Sequence, residues 1–267
     1  VKALAALMLS ALPALAAPVN PADLPARAQG WPVVILGEVH DHPAHHAVQA
    51  QVVSAIRPAA LVFEMLTPDQ AARVTPANRA DKAALETALG WASSGWPDFA
   101  MYHPLFTAAP GAAEFGGALP RDQVRAAFTG GAAAVFGAEA AAYGLADPLA
   151  PEDQAARETL QQEAHCNALP ETMLPGMVEA QRLRDAALAR AVVQASAATG
   201  GPVAVITGTG HARKDHGIPA ALAVAAPGLR VLSIGQMEAD PGPGAPFDLW
   251  IVTDPVDRPD PCLAFRK

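Results

Sequence analysis

The chain is short of several things, and each shortage removes a class of answers. Its 267 residues carry 18 Lys and Arg against 26 Asp and Glu, a formal charge of −8, and contain no basic run. That balance argues against nucleic acid as a partner. The apolar run near the N-terminus falls short of the roughly 18 residues that a membrane span requires. No cysteine follows that run, so no lipid can be attached there. Cysteine amounts to two residues, Cys166 and Cys262, and tyrosine to two, Tyr102 and Tyr143.

The N-terminal run itself has the layout of an export signal. Lys2 supplies the positive region, Ala3 to Leu15 the apolar region, and Ala14-Leu15-Ala16 a small-residue cleavage site. Residues 1–17 are thus expected to be a signal peptide, leaving a soluble exported protein, periplasmic in a diderm bacterium. Residues 18–267 are expected to form a single α/β domain with a helical insertion, and 51% hydrophobic residues allow a sizeable core. In an oxidising compartment an even pair of cysteines favours a disulfide. A Cys166–Cys262 bridge would tie the tail to the middle of the chain, with an upper figure of about 4.7 kcal/mol on the chain-entropy model. His165 stands before Cys166, which leaves Cys166 as a ligand or nucleophile as the competing reading.

Histidine is concentrated instead: four of the eight lie between His40 and His46. In PVVILGEVHDHPAHH, Pro32 to His46, the apolar run Val33 to Leu36 reads as a buried strand ending at Gly37, and Pro43 suits the first turn of a helix. A second stretch, PVAVITGTGHARKDH from Pro202 to His216, repeats the device. Gly37-Glu38-Val39-His40 and Gly208-Thr209-Gly210-His211 are two G-x-x-H turns, each followed by a helix-like stretch and another strand. His40 lies 24 residues before Glu64, and His211 lies 25 before Gln236. This reads as a weak internal repeat of a β-α-β unit. Residues just past the strands of a parallel sheet gather at its carboxyl edge, so His40, Glu64 and His211 should meet, with Glu38 beside them. His42 and His46 have i,i+4 spacing, but Pro-Ala-His between them lacks the glutamate of a zincin motif.

Between the two units, Asp69 to Leu89 is helical in pattern and interrupted at Pro76. Trp91 to Phe106 gathers two of the four tryptophans, and Gly95, Pro97 and Pro104 make it read as irregular; its aromatics fit a core or a pocket wall. Ala113 to Ala118 reads as a short strand, followed by alanine-rich helices over Asp122 to Tyr143 and Pro151 to Cys166. Pro175 to Ala198 is the longest helix expected, with an apolar stripe. Gln181, Arg184 and Asp185 share one of its faces, either solvated or lining the crevice. A last strand, Asp248 to Thr253, leads into a proline-rich tail.

Taken together, LGEVHDHPAHH, the Phe63-Glu64-Met65 triplet, WPDFAMYHPLF, MVEAQRLRDAALA, ITGTGHAR and VDRPDPC resemble the ChaN-like haem-binding proteins of the wider Tiki/TraB and erythromycin-esterase-like group. The resemblance spans nearly the whole mature chain. It implies an α/β core with a mixed, mainly parallel sheet flanked by helices. It also implies haem as ligand, a tyrosine on the iron, and paired haems in a homodimer. Founding members are surface lipoproteins; without their lipid-bearing cysteine, membrane contact here would be peripheral. Tiki-branch relatives are metal-dependent proteases built on the same two turns, so membership does not settle chemistry.

Two functions follow, in different classes. In the first, the protein binds haem for uptake or storage. Tyr102 would be the iron ligand, Trp91, Trp96, Phe99 and Phe106 the slot, and Arg121 or Arg213 the partners of the propionates. In the second, His40, Glu64 and His211 bind a divalent metal such as zinc or manganese, and Glu38 is the general base of a hydrolase. A third, plainer reading makes the histidines a hydrogen-bonded network joining strand ends.

Overall fold

The computed structural model describes residues 17–260 and 262–263. Its strands are β1 (Ala17–Pro18), β2 (Val33–Glu38), β3 (Ala60–Phe63), β4 (Ala113–Gly116), β5 (Val203–Gly208), β6 (Val231–Met237) and β7 (Leu249–Val252). They form one 7-stranded sheet in the order β1-β7-β6-β2-β5-β3-β4. Every described pairing is parallel. The runs Val33-Val34-Ile35-Leu36 and Val203-Ala204-Val205-Ile206 are buried at every position, as strands covered on both faces must be.

The first helices are α1 (Leu24–Arg27), α2 (Pro43–Ile56), α3 (Pro68–Ala71), α4 (Lys82–Leu89) and α5 (Phe99–Ala108). After β4 come α6 (Arg121–Gly130), α7 (Ala132–Phe136), α8 (Pro151–Ala164) and α9 (Leu174–Thr199), and after β5 come α10 (Thr209–Ala212) and α11 (Ile218–Ala225). The two-residue period of the strands divides them between two cores. Val34, Leu36, Leu61, Phe63 and Ile206 face one layer with Val52 of α2 and Phe106 of α5. Val33, Ile35, Val62, Val203 and Val205 face the other, with Leu183, Leu188 and Val192 of α9. This is the helix-flanked α/β architecture that the sequence led us to expect.

Local chemistry sets the helix ends. Pro43 opens α2, and Arg57 closes it in the left-handed region at φ 47°. Thr67 caps α3 in a reciprocal capping box with Gln70, while Asp81 caps α4 by accepting from the Ala84 amide. Gly200 ends α9 at φ 77°, the conformation that glycine adopts without steric cost.

The aromatic stretch departs from the expectation of irregular structure. Asp98 accepts from the Ala100 amide and starts α5, which carries Pro104 in its interior. Four apolar positions on α5, Phe99, Tyr102, Leu105 and Phe106, are buried, and that burial outweighs the helix-breaking signal. Phe99, Phe106 and Trp91 are accordingly core residues rather than a pocket wall. Cys166 and Cys262 form a disulfide with their Cα atoms 5.5 Å apart, which removes the reading of Cys166 as ligand or nucleophile. Of the segment read as an export signal, residues 1–16 lie outside the described residues, and Ala17 pairs with Leu249. Among the described residues no helix is long and apolar enough to cross a membrane.

Candidate functional site

Strands β2 and β5 are neighbours in register, with Gly37 opposite Thr207 and Glu38 opposite Gly208. Both G-x-x-H turns therefore leave the same edge of the sheet side by side. The glycines are needed for space. A β-carbon at Gly37 would stand 2.9 Å from the Thr209 Cα, and one at Gly208 would stand 2.8 Å from His40 Nε2. Side chains there would push the two turns apart.

Glu38 is the hub of the first turn and is 2% exposed. Its Oε1 lies 2.9 Å from His40 Nδ1 and accepts from the Tyr102 hydroxyl at 3.0 Å, while Oε2 lies 3.3 Å from His46 Nδ1. His46 is fixed on its other side, where Nε2 donates to the His40 carbonyl at 2.8 Å. With Nδ1 occupied by Glu38, His40 presents Nε2 to the crevice, 3.9 Å from Glu64 Oε1. The Trp96 ring meets the His40 imidazole edge-on, with centroids 4.9 Å apart.

The second turn has the same logic with other residues. His211 Nδ1 pairs with Asp185 Oδ1 of α9 at 2.6 Å, and Nε2 lies 3.4 Å from Glu64 Oε1. The Gln181 amide, one helical turn before Asp185, sits 3.1 Å from His211 Nδ1. Glu64 Oε2 accepts from the Gly208 amide at 2.7 Å and from the Thr207 hydroxyl at 2.8 Å. Glu64 thus stands between two histidines, each backed by its own buried carboxylate.

These contacts fix the charges. Burial opposes ionisation of Glu64, but His211, His40 and the Gly208 amide hold it far below the usual carboxylate range. Burial would likewise lower His211, yet the Glu64 and Asp185 carboxylates raise it to about 10. Asp185 is raised by burial against the pull of His211, so the 2.6 Å bond joins an imidazolium to a carboxylate with increased proton affinity. For His40, the Glu38 hydrogen bond and the Glu64 charge outweigh burial and raise it. Glu64 and His211 form an ion pair on the crevice floor, and Asp185 is hydrogen-bonded to the far side of the imidazole.

The sequence-derived candidates separate into groups. The structure brings His40, Glu64, His211 and Glu38 together. The three supposed metal ligands contact one another directly, with Glu64 Oε1 3.9 Å from His40 Nε2 and 3.4 Å from His211 Nε2. Among the described residues no group of three or more His, Cys, Asp or Glu has a metal-holding arrangement. Glu38, supposed as general base, is buried, with Oε1 shared by His40 and Tyr102 and Oε2 without a hydrogen-bond partner. Tyr102 is 0% exposed, and burial, followed by the Glu38 charge, pushes its hydroxyl well above the usual tyrosine range. A phenolate ligand needs cationic neighbours, and Tyr102 faces carboxylates. Arg213 is engaged with Asp215 through Nε at 3.1 Å and Nη2 at 2.6 Å. Arg121 is exposed at the start of α6 and reaches the Trp96 loop, its Nη2 standing 3.8 Å from where a Gly95 β-carbon would be.

Sequence reasoning left His46 without a partner and missed the tail. Thr253 and Asp254 hold His45 and His42 at 2.9 Å each, and Arg258 clasps Glu238 and Asp41. Gln236, the counterpart of Glu64 in the repeat, donates to the Gly37 carbonyl at 2.7 Å and supports the first turn from below.

Comparison with known proteins bears on what this arrangement belongs to. No curated protein sequence matches the chain. A solved structure described as "Cofacial heme binding to ChaN of Campylobacter jejuni" is similar at a TM-score of 0.64 and 18% identity, over 82% of this chain and 86% of that one. At that identity the likeness establishes the fold. The type III effector HopBA1 is similar at a TM-score of 0.49 and 16% identity, over 88% of this chain and 94% of that one. A family model described as "Haem-binding uptake, Tiki superfamily, ChaN" matches residues 24–222. Since that match takes in both G-x-x-H turns and all the helices between them, the chain belongs to the ChaN haem-binding uptake family of the Tiki superfamily.

Proposed function

We propose that this protein binds haem outside the cytoplasm, as a carrier or store of haem iron. Family membership supports the ligand, and one observation supports the place: the half-exposed imidazole of His40 beside Trp96, with Arg121 at the same rim. His40 keeps 34% of its side chain exposed, against 7% for His211. Its Nδ1 is committed to Glu38, and such a carboxylate fixes the tautomer and strengthens Nε2 as a donor. Trp96 offers an aromatic wall for a porphyrin, and Arg121 a cation for a propionate. The enclosed Tyr102 would have to break its Glu38 hydrogen bond to reach iron, so we assign the ligand role to His40.

This reading calls for an open binding face, because the aromatics that a closed slot would use are in the core. The cofacial arrangement named for the Campylobacter protein suits such a face, and we expect haem loading to pair two copies of this chain. Titration of the full chain with haemin tests the reading. A saturable Soret band should appear, His40→Ala should weaken it at least about tenfold, and Tyr102→Phe should leave its shape unchanged. No saturable Soret change in the parent protein would discard the proposal. A spectrum altered by Tyr102→Phe but not by His40→Ala would return the ligand to the tyrosine.

A further inference from the structure

Beyond β7 the chain runs from Thr253 to Asp260 without helix or strand. Pro255 and Pro259 have no amide to donate and keep the residues before them extended, so nothing within the stretch holds it in place. Its order comes from the first turn. The Thr253 hydroxyl accepts from His45 Nε2 and the Asp254 carbonyl from His42 Nε2, each at 2.9 Å. The Val256 amide donates to Glu238 Oε1 at 3.0 Å. Arg258 closes the clasp, with Nη1 and Nη2 on the two Glu238 oxygens at 2.6 and 2.7 Å and Nε on Asp41 Oδ2 at 2.8 Å. Asp41 and His42 directly follow His40, so the tail grips the turn beside its half-exposed imidazole.

Taken one bond at a time the clasp is weak. The Arg258 side chain is 25% exposed and that of Asp41 46%, and ion pairs so wetted contribute little. A tail with a free end would also lose chain entropy each time it closed, and the Cys166–Cys262 disulfide removes most of that cost. Cys262, whose amide donates to Asp260 Oδ1 at 2.9 Å, lies four residues past Arg258, a reach of at most about 14 Å. With β7 at one end and the disulfide at the other, the stretch between is a short closed loop whose contacts form at high effective concentration. The far anchor matters too. Cys166 follows α8, and α8 packs on α9, the helix that lays Gln181 and Asp185 over His211. The tail therefore joins the covering of the second turn to the flank of the first. Both cysteines are only partly buried, within reach of a thiol in solvent.

We propose that the tail is a thiol-sensitive strap on the His40 turn, closed while Cys166 and Cys262 are joined and released when they are reduced. A dithiol donor converts the bridge to two thiols and becomes a disulfide itself. The clasp then frays, the turn loosens, and His40 loses its fixed aim. The consequence for haem rests on the His40 reading above; the consequence for the turn does not.

Hydrogen exchange on the full chain without haem decides the strap. The parent is compared before and after reduction by dithiothreitol, and with Arg258→Ala kept oxidised. In both altered states the amides of residues 39–46 and of Val256 should exchange at least about tenfold faster, while residues 203–211 keep their protection. An unchanged 39–46 segment, or a rise spread equally over both segments, overturns the strap. Haemin titration then compares the parent with the double variant Cys166→Ser, Cys262→Ser, in which no free thiol can bind iron. Affinity should fall about threefold to tenfold. Equal affinities overturn the hold of the strap on the ligand. A parent that binds no haemin discards the His40 reading alone, and the exchange result still decides the strap.

Discussion

His211→Gln probes the charged floor of the crevice. Burial by itself would make the His211 imidazole a weaker base, yet Glu64 and Asp185 carry it from 6.5 to about 10. At 1.36 kcal/mol per pH unit, that rise corresponds to about 5 kcal/mol favouring the protonated folded form, taken as a ceiling. Removing one partner of a buried charge pair independently costs about 3–5 kcal/mol, because the remaining carboxylates face each other without a cation. A histidine with a raised folded pKa contributes its stability in full below 6.5 and loses it as pH rises from 6.5 through about 10. Glu64 acts in the opposite sense: held below its ordinary 4.5, it contributes above that pH and loses its share as pH falls further. Stability should therefore be greatest between these limits and decline toward alkaline pH by up to about 1.4 kcal/mol per unit. Urea unfolding curves collected from about pH 5 to about pH 10 measure this directly. The variant should be about 3–5 kcal/mol less stable at the acidic end and should approach the parent at the alkaline end. Parallel curves for the two proteins across that window would assign the alkaline loss to groups other than His211.

Further outcomes follow from single contacts. Arg79 is buried and donates to Glu114 and to the Ala109 and Ala112 carbonyls; Arg79→Met should cost about 3–5 kcal/mol in urea unfolding, since it strands a carboxylate and two carbonyls. Cys262→Ser removes a link across a separation of 96 residues. Its Tm without reductant should fall to that of the reduced parent, a loss of at most about 4.7 kcal/mol. Tyr102→Phe removes one donor to the buried Glu38 carboxylate and should destabilise by about 1–3 kcal/mol, read from the shift in urea midpoint.

What could be read in the sequence was set by periodicity and by glycine. Runs such as Val33 to Leu36 ending in Gly37 gave strands and turns because a fully buried parallel strand has little other way to be written. Two such runs ending in the same G-x-x-H placed His40, Glu64 and His211 on one edge. The shared helical face of Gln181, Arg184 and Asp185 left two readings open, and both hold in part: Gln181 and Asp185 meet His211, while Arg184 is exposed. The aromatic stretch misled because proline and glycine spacing outvoted the burial of Phe99, Tyr102, Leu105 and Phe106, and burial is a tertiary fact. Tyr102 seemed free for a ligand because it stands in a stretch that read as irregular and that carries part of the family resemblance. Its decisive neighbour, Glu38, is 64 residues away. The clasp of Arg258 on Asp41 and Glu238 was out of reach for the same reason: an arginine among prolines and aspartates carries no local sign of its partners.

The two turns are alike in sequence and unlike in use, and the difference lies in what covers them. Helix α9 lays Gln181 and Asp185 over the second turn, so His211 is buried, doubly paired and charged. Among the described residues no helix of that length covers the first turn. It is held from beneath by Glu38, His46 and Gln236, and from the side by the tail through His42 and His45. Its upper face is left to Trp96, and His40 keeps a third of its side chain exposed. Of the two histidines, His211 is locked and His40 is open. The locked one fixes Glu64 as an anion at the floor, and that charge in turn raises His40. On the proposed reading, an incoming haem iron would meet His40 Nε2, oriented by the Glu38 carboxylate and facing Glu64.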